Sequence, residues 1–214
     1  MSCEIIIFDL DGTLVDSGEN ISAAINHTRA AFGLEAMDCS FILDQINKDD
    51  INAAKVFYGT ERFTEDQRAI FESYYYEICG QNISMYDKID FYLEEFKKSG
   101  YKMAVATNGR SVFATKILET LGISEYFDFI LGADNVALPK PSPEMLLKIL
   151  DGFESKEGSN IVVVGDSIKD VKAAKAISAI SVVAEWGFGT EKPIGDKNLQ
   201  KSSELNWIID FFKD

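Results

Sequence analysis

The chain has 214 residues, 35 Asp and Glu against 21 Lys and Arg, a formal net charge of −14 and a single histidine. Such acidity excludes non-specific attachment to nucleic acid or to an anionic membrane surface, because both are held by cations. One histidine excludes any site built from several and leaves His27 as the sole histidine base for a serine or cysteine nucleophile. Attention moves to carboxylates and a hard cation.

Hydrophobic residues, at 46%, supply a sizeable core, in one large domain or in a core with a small second domain. The chain opens MSCEIIIFDLDGTLVDS, with no basic segment and an apolar run cut short by carboxylates, so no signal peptide is predicted. The first predicted strand covers residues 5–8. Helix-like segments follow over 20–32, 51–57 and 64–79, with no convincing strand among them. The aromatics of FESYYYEIC in the third segment are expected to pack helix against helix. Residues 87–99 read as the helix leading into a second strand at 103–106. A helix over 112–121 is closed by Gly122. A strand at 127–131 precedes a helix over 143–153, with Ser142 as N-cap and Pro143 in the first turn. A strand at 161–164, a helix over 169–177 and a strand at 180–184 complete the alternation. A closing amphipathic helix carries Leu205, Trp207, Ile208, Ile209, Phe211 and Phe212.

Most predicted strands are unbroken apolar runs, which suits a parallel sheet covered on both faces. The βαβα rhythm predicts an α/β fold: a doubly wound parallel sheet with a Rossmann-like core. The interval between the first two strands is far longer than one crossover needs. Residues 16–85 are therefore predicted to be an inserted helical cap, over a catalytic core of 1–15 and 86–214. No stretch approaches the roughly 20 apolar residues of a membrane-spanning helix. Cys3, Cys39 and Cys79 are far apart and show no CxxC spacing, so free thiols in a reducing, cytoplasmic setting are expected.

Four motifs carry the chemistry, each at the carboxyl end of a predicted strand. In FDLDGTLVDS, Asp9 and Asp11 are two residues apart, and an extended chain points such residues the same way. Gly12 turns the chain and Thr13 adds a hydroxyl beside them. One Asp can be nucleophile or metal ligand while the other is general acid and base. In VATNGR, Thr107, Asn108 and Gly109 precede a helix, where a hydroxyl and free amides suit a phosphate. In LPKPSPE, two prolines stiffen the loop around Lys140, whose ammonium suits a phosphoryl oxygen. In VVVGDSIKD, Asp166 and Asp170 offer oxygen ligands to a hard cation such as Mg²⁺. A parallel sheet brings these four strand ends to one edge.

In this order of motifs the chain resembles the haloacid dehalogenase superfamily of phosphohydrolases along essentially its whole length, and within it the phosphoglycolate phosphatase-like branch. DxDGT stands at Asp9–Thr13, a Thr-Asn follows the second strand, a lysine the third and GDxxxD the fourth. The resemblance implies that Asp9 attacks phosphorus to form an aspartyl-phosphate, and that Asp11 protonates the leaving oxygen and later activates water. It implies that Thr107 and the Asn108 amide hold the phosphoryl group, that Lys140 steadies nucleophile and phosphate, and that Asp9, Asp11 (through its carbonyl), Asp166 and Asp170 serve Mg²⁺. The expected substrate is a small phosphorylated metabolite, and the protein a monomer or homodimer. The branch's Pro-Gly pair is replaced by SMYDKIDFYL, Gly109 and Arg110 stand where many members have a lysine, and DSGENIS lacks the histidine of the sugar-phosphate mutases. The alternatives are a phosphomutase and, further off, a non-catalytic binding or regulatory protein. His27 is expected to be a surface or packed histidine, Lys48, Asp49, Arg62 and Arg68 are cap charges expected on solvated faces, and no Schiff-base role is expected of Lys48 or Lys55. Trp186 and Phe188 are expected near the rim of the site or in plain packing.

Overall fold

The structure is a computed structural model describing residues 4–158 and 160–213. The chain runs β1 (Ile5–Phe8), β2 (Val15–Asp16), α1 (Gly18–Ala31), α2 (Cys39–Asn47), α3 (Ala53–Tyr58), α4 (Glu65–Ile78), β3 (Ser84–Met85), α5 (Ile89–Lys98), β4 (Lys102–Ala106), α6 (Ser111–Thr120), β5 (Phe129–Leu131), α7 (Glu144–Gly152), β6 (Ile161–Gly165), α8 (Ile168–Ala176), β7 (Ile180–Ala184), β8 (Lys197–Leu199) and α9 (Asn206–Lys213). Six strands form one parallel sheet in the order β5-β4-β1-β6-β7-β8. The doubly wound fold expected from the sequence is the one observed.

The unbroken apolar runs have a direct cause. Successive side chains of β1 point to opposite faces, and helices cover both. Ile6 and Phe8 pack with Met103, Val105, Val162 and Val164 against α5 and α6. Ile5 and Ile7 pack with Ala104, Ala106, Ile161 and Val163 against α7 and α8. All four β1 side chains are buried, so this strand is the spine of the core. The sheet order reverses across β1, between β4 and β6, which in open α/β sheets marks the ligand crevice.

The segment between β1 and β4 is helical, as expected. Local chemistry sets its helix ends. Thr64 and Gln67 form a reciprocal capping box at α4, and the Asn52 side chain accepts from Lys55 N at α3. A small apolar cluster of Ile25, Ile42, Phe57 and Tyr58 joins α1, α2 and α3. Where the chain leaves and rejoins the sheet, β2 and β3 pair antiparallel, Val15 opposite Met85 and Asp16 opposite Ser84.

Several elements differ from the sequence expectation. β2 and β3 supply a short sheet where no strand was expected; two residues each carry no periodicity. α2 was not expected: Ile42 is its one buried residue, so its pattern is faint. β8 was not expected either, because KNL buries only Leu199 and lies on an edge. β5 begins two residues after the expected start at 127. α7 starts at Glu144 with Pro143 as N-cap, although the Ser142 hydroxyl does accept from Glu144 N at 3.3 Å. Cys39 and Cys79 are free thiols; Cys3 lies outside the described residues. No described helix is long and apolar enough to cross a membrane.

Phe96 is fully buried between Phe8, Tyr92 and Tyr101. Phe96→Ala should destabilise the protein by about 3–5 kcal/mol, read as a lower urea midpoint. A midpoint unchanged from the parent would contradict the assignment of this ring to the core.

Candidate active site

The loop after β1 is tightly wound, with the amides of Thr13, Leu14 and Val15 all donating to Leu10 O. Gly12 adopts φ +77°, and a Cβ there would stand 2.3 Å from Asp166 Oδ2. Only glycine lets the two carboxylate loops approach this closely. β1 thereby presents Asp9 and Asp11, β4 presents Thr107 and Asn108, the loop after β5 presents Lys140, and β6 presents Asp166. All of these line one cavity of about 410 Å³. Asp170 does not line it. It lies beneath the floor, buried on the first turn of α8.

Lys140 ties the cluster together. Its buried Nζ donates to Asp9 Oδ1 at 2.8 Å and to Asp170 Oδ1 at 2.6 Å. The other Asp170 oxygen accepts from Ser167 N at 3.1 Å and Ser167 Oγ at 2.6 Å. The Asn108 side chain grips the Lys140 backbone from both sides, donating to its carbonyl at 2.8 Å and accepting from its amide at 3.0 Å. Asp11 Oδ1 accepts from Ser17 Oγ at 2.5 Å, and the Thr107 hydroxyl also bonds this carboxylate. The hydroxyl beside Asp11 is therefore not the one expected at Thr13. Thr13 Oγ1 is buried without a partner and does not line the cavity.

Electrostatics follow from crowding and burial. Burial pushes the Asp9 carboxyl well above its usual range; Lys140 opposes this, and Asp170 and Asp166 add to it. Asp166 is raised to about 7 by burial and by Asp170, against hydrogen bonds from Asn47 and the Phe188 amide. Asp11 is raised by burial, against hydrogen bonds from Ser17 and Thr107 and the Lys140 charge. Burial alone would lower Lys140, but Asp170 and Asp9 outweigh it and keep the ammonium charged.

This donor set suits a hard divalent cation. Asp9, Asp166 and Asp170 each offer an oxygen within 4.8 Å of the others. Among the described residues, Asp9 Oδ2 and Asp166 Oδ1 accept from no protein donor, whereas both Asp170 oxygens are engaged. An all-oxygen, carboxylate-rich site short of positive charge is what such a cation needs.

Sequence reasoning missed Ser17, Asn47 and Ser167. Ser17 reads as an ordinary N-cap, and it is the residue before α1, but its side chain serves Asp11 instead. Asn47 was invisible because α2 was. From there its Nδ2 donates to Asp166 Oδ2 at 2.9 Å and to Phe188 O at 2.8 Å. Ser167 had a legible signal, the capping-box spacing to Asp170. Phe188 does line the cavity, and its amide donates to Asp166 Oδ2 at 2.7 Å. Trp186 packs instead, its Nε1 donating to Thr13 O. His27 is exposed, stacked on Tyr74 at 3.9 Å, and outside the cavity. Lys48 pairs with Asp44 and Lys55 with Glu61, as solvated charges do, whereas Asp49, paired with Lys172, is half-buried. Arg62 is exposed and outside the cavity, whereas Arg68 is exposed at its edge.

Residues 6–184 match the family model described as haloacid dehalogenase-like hydrolase. The chain belongs to this family. A phosphoglycolate phosphatase of Aquifex aeolicus (strain VF5) is 32% identical to the hydrolase over 210 residues, covering 96% of each chain. One from Vibrio parahaemolyticus serotype O3:K6 is 32% identical over 208 residues, covering 91% of this chain and 89% of its own length. The crystal structure of a predicted phosphoglycolate phosphatase from Haemophilus somnus 129pt superimposes with a TM-score of 0.85 at 26% identity, covering 98% of this chain and 99% of that one.

Because Asn47 bonds an Asp166 oxygen directly, a divalent cation held at Asp166 should bind roughly 10–100-fold more weakly in Asn47→Ala, read by calorimetric titration. An unchanged affinity would leave Asn47 with no role beyond holding α2 to the sheet edge.

Proposed function

We propose that this phosphoric monoester hydrolase is a Mg²⁺-dependent, cytoplasmic phosphatase of small phosphorylated metabolites, working through an aspartyl-phosphate on Asp9. The observation that carries the reading is the pairing of two carboxylates on one loop with opposite surroundings. Asp9 faces the cavity with one oxygen fixed by Lys140. Asp11 faces it with no ammonium in direct contact, held by hydroxyls and raised by burial. Two acids with different environments divide into nucleophile and proton carrier.

In this reading one oxygen of Asp9 attacks phosphorus while Asp11 protonates the departing oxygen. Asp11 then takes the proton of the water that releases phosphate from Asp9. Thr107 and the Asn108 amide hold phosphoryl oxygens, and Lys140 orients the Asp9 carboxylate. Asp9, the Asp11 carbonyl and Asp166 would hold Mg²⁺, which supplies charge neutralisation at the transferring phosphoryl group. Asp170, with both oxygens engaged, supports Lys140 and the α8 end rather than a vacant ligand position. Residues 16–85 act as the cap and 86–214, with 1–15, as the catalytic core. The names of the relatives support a phosphatase, and free thiols at Cys39 and Cys79 support a reducing compartment. No observation favours the mutase alternative.

Asp9→Asn should lower phosphate release at least about a thousandfold while the unfolding transition is retained. Near-parental turnover would remove Asp9 as the nucleophile. Excess chelator should abolish turnover and added Mg²⁺ restore it; activity indifferent to the chelator would contradict the metal assignment.

A further inference from the structure

The cavity has two chemically different halves. Its floor is the carboxylate and lysine cluster. Its roof is apolar: Ile21 and Ile25 from α1, Phe57 from α3, Phe63 from the loop that follows, and Phe71 and Tyr75 from α4. Phe71 and Tyr75 stack at 5.5 Å between ring centroids.

Two of the cations near the roof are already engaged, and the third packs on an aromatic ring. Arg110 is ion-paired with Glu72, Lys169 donates to Ile46 O at 2.7 Å, and Arg68 lies 5.3 Å over the Phe63 ring. A second anionic group on the substrate would have to draw Arg110 or Lys169 from its partner, or take the exposed Arg68 off the Phe63 ring. A two-carbon acid phosphate would also leave much of the space to water against apolar walls, which is unfavourable. A cavity of about 410 Å³ falls instead within the roughly 300–1,000 Å³ that larger ligands occupy.

We propose that the preferred substrate is a phosphomonoester with a bulky apolar or aromatic leaving group, seated against Ile21, Ile25, Phe57, Phe63 and Phe71 while its phosphoryl group meets Asp9. The inference rests on the phosphatase reading above. The bond between phosphorus and the leaving oxygen breaks, the phosphoryl group passes to the Asp9 carboxylate, and the leaving oxygen takes the Asp11 proton. Water then receives the phosphoryl group and returns its proton to Asp11, giving the alcohol and inorganic phosphate.

The test is kcat/KM with Mg²⁺ for ethyl, butyl, hexyl and benzyl phosphate and for phosphoglycolate. Leaving-group acidity is nearly constant along the alkyl series, so the slope reads contact with the roof. Each methylene removed from water is worth about 0.8 kcal/mol, a factor of about four. Hexyl phosphate should exceed ethyl phosphate at least tenfold, and benzyl phosphate should exceed phosphoglycolate. Phe71→Ala should cut the hexyl-to-ethyl ratio at least threefold. A ratio near one, a ratio untouched by Phe71→Ala, or phosphoglycolate turned over faster than benzyl phosphate would overturn this substrate class while leaving the phosphatase reading intact. Release of phosphate from none of the esters would overturn that reading and the substrate class with it.

Discussion

One buried ammonium joins three parts of the chain that are distant in sequence. Lys140 contacts Asp9 after β1 and Asp170 in α8, and its own loop is clamped to the end of β4 by Asn108. A charge this deep is tolerated only when paired and hydrogen-bonded. Loss of one partner from such a buried pair costs about 3–5 kcal/mol, because the other charge is left uncompensated. The pairing therefore fixes the shape of the sheet edge as well as its charge. It does not complete the balance. One ammonium faces Asp9, Asp166 and Asp170, and Asp9 and Asp166 respond by holding protons more tightly. A divalent cation would relieve that strain.

The sheet makes such crowding possible. Parallel strands send their carboxyl ends to one edge, and the reversal of strand order at β1 opens a crevice there. Close approach then depends on absent side chains. A Cβ on Gly165 would stand 2.2 Å from Asp170 Cγ, so β6 and the first turn of α8 can fold against each other only with glycine at that point.

The core was legible because its determinants are local and repeated. Strands buried on both faces must be largely apolar runs: β1 and β6 are unbroken, and β4 and β7 depart from this only at Lys102 and Ser181. Asp9, Asp11, Thr107, Asn108 and Asp166 converge because each follows such a run, and Lys140 joins them from the loop after β5. Legibility fails where tertiary contact replaces local signal. β8 is an edge strand with one buried residue, and α2 has one buried side chain. The two-residue strands β2 and β3 exist only because they meet. Thr13 shows a different limit: its place just after the Gly12 turn put a hydroxyl beside the two carboxylates in the sequence reading, but the turn onto Leu10 O buries that side chain, and Ser17 takes the role.

The helical segment obeys another rule. Its exposed contacts with the core, such as Lys172 to Asp49 and Arg110 to Glu72, are pairs that solvent screens and that contribute little individually. Two contacts at the end of α2 are better sheltered, with Lys169 on Ile46 O and Asn47 shared between Asp166 and Phe188 O. Ile46 and Asn47 also line the cavity, next to the apolar roof on one side and the carboxylate floor on the other. The least legible helix of the chain thus sets one residue, Ile46, in the cavity lining and the next, Asn47, on the Asp166 carboxylate.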